Sequence, residues 1–138
     1  SLAVCSSEFA EKNGLEPLAR IVTSAVTGCP PNMMGIGPIS STQKALERSG
    51  WHIDDIDVFE INEAFSSQSI AVINELSIDY QKVNIDGGAI SIGHPLGASG
   101  ARIVGKAASI LNRTNSERAI ATMCIGGGMG ITIVLESP

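Results

Sequence analysis

Gly87-Gly88-Ala89-Ile90-Ser91-Ile92-Gly93-His94-Pro95-Leu96-Gly97-Ala98-Ser99-Gly100-Ala101-Arg102 does not have the composition of an ordinary surface loop. Five glycines crowd around one His-Pro pair, and the stretch runs straight into a segment of helical periodicity. Glycines this dense permit φ > 0 and let backbone come close to something else. Pro95 stiffens the chain and disfavours the α region at His94. The imidazole is therefore presented on a stiff, extended turn at the mouth of a helix, as a catalytic His often is. The competing reading is a tight turn that carries its His incidentally.

Downstream, Ser99, Ala101, Val104, Ala107, Ala108 and Leu111 recur at helical spacing, so a helix starts at Ser99. Arg118–Cys124 and Gly130–Leu135 read as strands. The glycines between them make a connection so short that the strands must be antiparallel. Upstream, Ile56–Ile61 is strand-like and ends at Asn62, which reads as the cap of a helix over Glu63–Leu76. Lys82-Val83-Asn84 is a short extended piece. Pro38–Ser49 is a helix with Pro at its start and Gly50 past its end. Gly28–Gly37 is a loop, and the β-branched run Leu18–Val26 is a strand. Ser6 or Ser7 caps a short helix through Lys12, stopped by Gly14. Leu2-Ala3-Val4-Cys5 reads as the tail of a strand, which carries the expectation that the chain starts partway through a longer protein. This alternation predicts one α/β domain over residues 1–138, a mixed β-sheet with helices packed on its faces.

With 43% hydrophobic residues in 138, the chain can bury a core. A net charge of −5 argues against nucleic acid as a partner. No apolar run is long enough to span a membrane. Cys5, Cys29 and Cys124 are odd in number and far apart, which favours a reducing compartment, the cytoplasm, over a disulfide scaffold. Cys29, Cys124, His52 and His94 have no metal-ligand spacing, and His52 beside Trp51 reads as a surface or interface residue. Gly100–Ala107 nearly spells a P-loop, but Ala107 lacks the hydroxyl that would hold Mg²⁺, and its residues follow a helical stripe.

Cys124 ends a strand and is followed by Ile125-Gly126-Gly127-Gly128. A buried structural Cys is the usual case. The glycines add room for a ligand and backbone N–H groups free to face an anion, as an oxyanion hole requires. A thiolate also needs a nearby positive group to lower its pKa, and His94 is the obvious one.

Three blocks, Asn62-Glu63-Ala64-Phe65, Gly87 to Arg102, and Cys124-Ile125-Gly126-Gly127-Gly128-Met129-Gly130, stand in an order and spacing that resemble the thiolases. The resemblance covers essentially this whole chain but only the C-terminal half of a full thiolase. It implies a thiolase-like half-fold that pairs with a similar N-terminal half about a pseudo-twofold. It implies a reversible Claisen condensation of acetyl-CoA to acetoacetyl-CoA, or thiolysis of a 3-ketoacyl-CoA, in fatty acid metabolism. The coenzyme A thioester would be the substrate, with no cofactor. Cys124 would be the general acid/base, not the nucleophile. His94 would activate the nucleophilic Cys and donate to the thioester oxygen. Asn62 would hold a water in the same oxyanion hole, and the Gly126 N–H would serve a second one. Met34, Ala64 and Phe65 would line the pantetheine and acyl channel, although Met34 could equally be core. The nucleophile and the loop domain that grips CoA would lie in the missing N-terminal half. Neither Cys5 nor Cys29 has the context to replace that nucleophile. Full-length members are commonly homo-oligomers, dimers or tetramers. Two alternatives stand beside this reading. The ketoacyl synthases share the fold but lack the Cys-Ile-Gly-Gly-Gly block. A non-catalytic fragment or partner subunit binding acyl-CoA belongs to a different functional class.

Overall fold

The computed structural model describes all residues 1–138. Four runs rich in β-branched and small apolar residues form strands: β1 (Arg20–Gly28), β2 (Val58–Ile61), β3 (Arg118–Ile125) and β4 (Met129–Glu136). They pair in the order β1-β4-β3-β2. β4 is antiparallel to both β1 and β3, whereas β2 runs parallel to β3. The sheet is thus mixed, and the glycine-linked strands form the expected antiparallel hairpin.

Helices cover both faces. On one, α2 (Gly37–Ser49) and α3 (Ser66–Glu75) enclose Ala45, Leu46, Val72 and Ile73 with Phe59, Ile61, Ile120 and Val134 of the strands. On the other, α5 (Ser99–Thr114) packs Ile103, Ala107, Ile110 and Leu111 against Val58, Ala119, Ala121 and Leu135. Strand alternation divides β2 between these layers: Phe59 and Ile61 face α2 and α3, while Val58 and Glu60 face α5. Two short helices, α1 (Ser7–Lys12) and α4 (Ala89–Ile92), lie outside this frame.

Local signals behave as expected at the helix ends. The Ser6 hydroxyl accepts from the Phe9 N–H at 3.2 Å, and Gly50 adopts φ +72° after α2. Three expectations need correction. Leu2–Cys5 forms no strand, since the sheet begins at β1; the Leu2 side chain rests on Gly105 of α5 instead. Tyr80–Lys82 is a 3₁₀ turn, so only Val83 of the expected extended piece bridges to a strand, at Phe59. The helix expected from Glu63 starts at Ser66, with Phe65 at its N-cap.

Backbone contact fixes α2 against the hairpin. Gly130 is the ladder partner of Cys124, and a Cβ on Gly130 would lie 2.1 Å from the Gly37 carbonyl. Buried hydroxyls continue the contact: Ser41 and Thr122 reach Thr132 at 2.7 and 2.8 Å. Gly130→Ala should therefore destabilise the protein by at least about 1–3 kcal/mol, the usual overpacking range, because the obstacle is backbone and cannot rotate aside. Urea unfolding of the full-length variant measures this, and an unchanged midpoint would mean that the contact is slack.

Candidate active site

β2 and β3 are parallel and end side by side, and the crevice outside the carboxyl ends of parallel strands is the usual ligand position in open α/β sheets. Asn62 follows the last residue of β2 and is fully buried. Its N–H donates to the Thr122 carbonyl of β3 at 2.9 Å, and Cys124 lies two residues further along the same strand. The Asn62 side chain does not cap a helix. Its Nδ2 faces His94 Nε2 at 3.4 Å, so the capping role read from local sequence is replaced by a contact across 32 residues.

His94 owes its orientation to Gly93 before it, at φ +94°, and to Ser99, the first residue of α5. Nδ1 lies 2.6 Å from Ser99 Oγ, and the Ser99 hydroxyl donates to the Pro95 carbonyl at 3.2 Å. The arrangement in which Ser99 donates to Pro95 and accepts from Nδ1–H leaves Nε2 free to accept from the Asn62 amide. Ser99 is fully buried; sequence reading marked it only as a helix start.

The turn carrying His94 is tied down from both ends. Glu63 accepts from Asn84 Nδ2 at 2.7 Å and from the Ile90 N–H at 2.8 Å. Asn84 in turn exchanges hydrogen bonds with both backbone groups of Ile61, each at 2.9 Å. Gly88 is needed where it stands, because a Cβ there would fall 2.3 Å from the Glu63 carboxyl carbon. Asp86 pairs with Lys106 at 2.6 Å and Arg113 at 2.9 Å on α5, and hydrogen bonds from Arg113 and Lys106 hold its carboxyl well below the usual carboxylate range. Sequence reading missed these clamps. The available signal was Glu63 inside its block and an Asn at the turn, Asn84, which adopts φ +46°.

Cys124 is half-buried at the end of β3. Burial pushes its thiol pKa up, with a smaller contribution in the same direction from Cys29. That is opposite to the lowering by His94 expected from sequence. No hydrogen bond joins the two side chains, since the His94 nitrogens face Asn62 and Ser99. Gly126 is exposed at the hairpin tip, beside Gly127 and Gly128 at φ +82° and +76°. Met34, on a 3₁₀ segment, and Phe65 are 53% and 64% exposed, so Met34 is not a core residue, and Ala64 is partly buried. The structure thus brings Asn62 and His94 into contact and sets Cys124 and Gly126 on the neighbouring strand end. His52 only starts a 3₁₀ turn, its N–H donating to Asp55. The near-P-loop lies wholly within α5.

A concavity of about 530 Å³ is lined by Asp54, Asp55, Asp57 and Glu117 among others. It lies at the opposite, amino end of β2 and β3 and contains none of these residues. No three His, Cys, Asp or Glu side chains gather as a metal site. No helix is long and apolar enough to cross a membrane.

Residues 15–137 match the family model of the thiolase C-terminal domain. The chain belongs to the thiolase family. An acetyl-CoA acetyltransferase of Chromobacterium violaceum is 46% identical over 138 residues, all of this chain and 35% of that protein. The cytosolic acetyl-CoA acetyltransferase of Mus musculus is 49% identical over 127 residues, 92% of this chain and 32% of that protein. The crystal structure of human mitochondrial 3-ketoacyl-CoA thiolase superposes with a TM-score of 0.93 at 44% identity, covering 96% of this chain and 34% of that one. This thiolase domain therefore spans about a third of the length of its relatives, and its α/β architecture is that of the family.

Proposed function

We propose that this thiolase domain supplies the acid/base and one oxyanion hole to an acetyl-CoA C-acetyltransferase that interconverts two acetyl-CoA with acetoacetyl-CoA and CoA. The observation that carries this reading is the Asn62–His94 pair, with the His94 ring oriented by Ser99, beside the strand end bearing Cys124. Bare Nε2 can take the proton of a nucleophilic thiol supplied by another segment of the whole protein. The imidazolium so formed then donates from Nε2 to the thioester oxygen. Asn62 Nδ2 faces the same nitrogen and would hold a water there, so the imidazolium and that water converge as donors where an enolate oxygen would carry charge.

Cys124 removes a proton from the α-carbon in condensation and returns it in thiolysis. A carbon acid is weak, and a thiol whose pKa is raised by burial yields the stronger base once ionised. The Gly126 N–H serves the second oxyanion hole, and Met34, Ala64 and Phe65 border the pantetheine arm. This chemistry calls for no cofactor beyond the thioester itself. The three free thiols suit a cytoplasmic enzyme.

The test is thiolysis of acetoacetyl-CoA by the full-length protein, and an inactive, folded, full-length protein would reject the reading. A further result is expected of the 138-residue chain alone. It has an acid/base but no acceptor for an acyl group, and covalent catalysis needs one. Ile90, Ile92 and Leu96 of the His94 turn are 65%, 60% and 84% exposed, and such patches promote association. The isolated chain should be inactive and should self-associate in sedimentation. A monodisperse monomer that cleaved acetoacetyl-CoA would contradict both expectations.

A further inference from the structure

Strand alternation turns Val58, Glu60 and Asn62 toward α5. Val58 meets the apolar residues of that helix. Glu60, in the same row, is fully buried, and neither of its carboxyl oxygens has a partner in the protein. Asn62 Oδ1 is in the same condition, as are Nε and both terminal nitrogens of Arg102 on α5, all shielded from solvent. Arg102 is the strongest charge acting on Glu60, followed by Lys106 on the same helix and by Asp86 and Glu63 from the flanking loops. β3, on the other side, presents only the uncharged Ala119, Ala121 and Met123 in this layer. Lys106 is committed to Asp86, whereas no ion pair joins Arg102 to Glu60.

Two opposite charges are thus enclosed together without touching. Buried polar groups are almost always satisfied, and enclosed water, making roughly three hydrogen bonds per molecule, is the usual bridge between groups too far apart to bond directly. We propose that enclosed water links the Glu60 carboxylate to the Arg102 guanidinium and hydrogen-bonds Asn62 Oδ1, making Glu60 and Arg102 the positioning residues behind the Asn62–His94 pair. The donors run in one direction. Guanidinium nitrogens only donate and a carboxylate only accepts, so Arg102 donates to water, water donates to Oδ1, and Glu60 takes the remaining donors. An amide has two ends of similar shape. Without a donor at Oδ1 it can turn over and present its carbonyl oxygen to bare His94 Nε2, lone pair to lone pair. A donor behind it keeps Nδ2 forward. Burial pushes the Glu60 carboxyl up to about 7 despite the pull of Arg102 and Lys106, which fits a separated pair, since direct contact would hold it low.

The consequence for catalysis rests on the thiolase reading above; the water bridge does not. In a high-resolution crystal structure of the full-length protein, ordered water should contact both Arg102 and Glu60 and donate to Asn62 Oδ1. A direct Arg102–Glu60 contact with Oδ1 held by some other donor would overturn the proposal. In solution, Arg102→Met should slow deuteration of the acetyl-CoA methyl group in D₂O by about 10–100-fold, the range for losing a supporting hydrogen-bond partner. Acylation of the nucleophile should stay within a few-fold of wild type. Arg102→Lys, which keeps a donor, should recover much of the exchange rate, and Glu60→Gln, nearly isosteric, should slow exchange to a smaller extent. Equal losses in both half-reactions, no recovery by lysine, or unchanged exchange in Glu60→Gln would each overturn it. If the wild-type protein neither acylates nor exchanges, the thiolase reading fails, and the crystal structure still decides the bridge.

Discussion

Changing Cys124 to serine in the full-length protein should abolish proton exchange at the α-carbon and leave acyl transfer largely intact. The substitution replaces sulfur by oxygen at a half-buried strand end, so the fold should tolerate it. The chemistry should not, because a hydroxyl is far less acidic than a thiol, and the burial that already pushes the Cys124 thiol up would oppose an alkoxide more strongly. General acid–base groups contribute roughly 10²–10⁴-fold, and most of that should disappear from condensation. In the proposed mechanism acylation depends on the nucleophile and on His94, and CoA can leave as a thiolate, so acetyl-enzyme should still accumulate. Incubation with acetyl-CoA in D₂O separates the two steps: mass spectrometry reports the acyl-enzyme and NMR reports methyl deuteration. Deuteration at the wild-type rate would remove Cys124 from the acid/base role.

The two halves of this prediction were unequally legible in the sequence. The surroundings of Cys124 and Gly126 were legible because a strand end and a glycine hairpin are written within a few residues. The same holds for His94, whose turn is written by Gly93 and Pro95. The local reading of Asn62 is a helix cap, while the thiolase resemblance sets it beside His94; nothing local distinguishes an Asn that caps from one that reaches across 32 residues to an imidazole. Glu63 and Ile90 are 27 residues apart, and no periodicity rule pairs them. Ser99 looked like any small residue opening a helix, yet its hydroxyl lies 2.6 Å from His94 Nδ1 and fixes the ring's orientation. Patterning did reveal the layers of the fold, since core positions follow strand and helix periods. It failed at Leu2–Cys5, where apolar content suggested a strand but Leu2 instead packs on Gly105 of α5. Glu60 is the one polar residue of the otherwise apolar strand β2, and its burial follows only from the arrival of α5 above it.

Replacing His94 with alanine should impair both half-reactions, whereas Cys124→Ser affects one. On the proposed reading a single nitrogen, Nε2, serves each step: it would accept the proton of the nucleophilic thiol during acylation and, once protonated, would donate to the oxygen that gathers charge during condensation. Loss of one oxyanion donor costs about 2.7–4 kcal/mol, or 10²–10³ in rate, and loss of the base falls on the other step. Asn62→Ala should cost less, because His94 remains tied to Ser99 at 2.6 Å and keeps its aim. Pre-steady-state acylation and steady-state condensation, measured on the same preparations, distinguish these outcomes. If His94→Ala left both rates within a few-fold of wild type, the glycine-rich turn around it would be a structural device only. The Ser99 and Glu63 contacts would then position a side chain with no part in the chemistry.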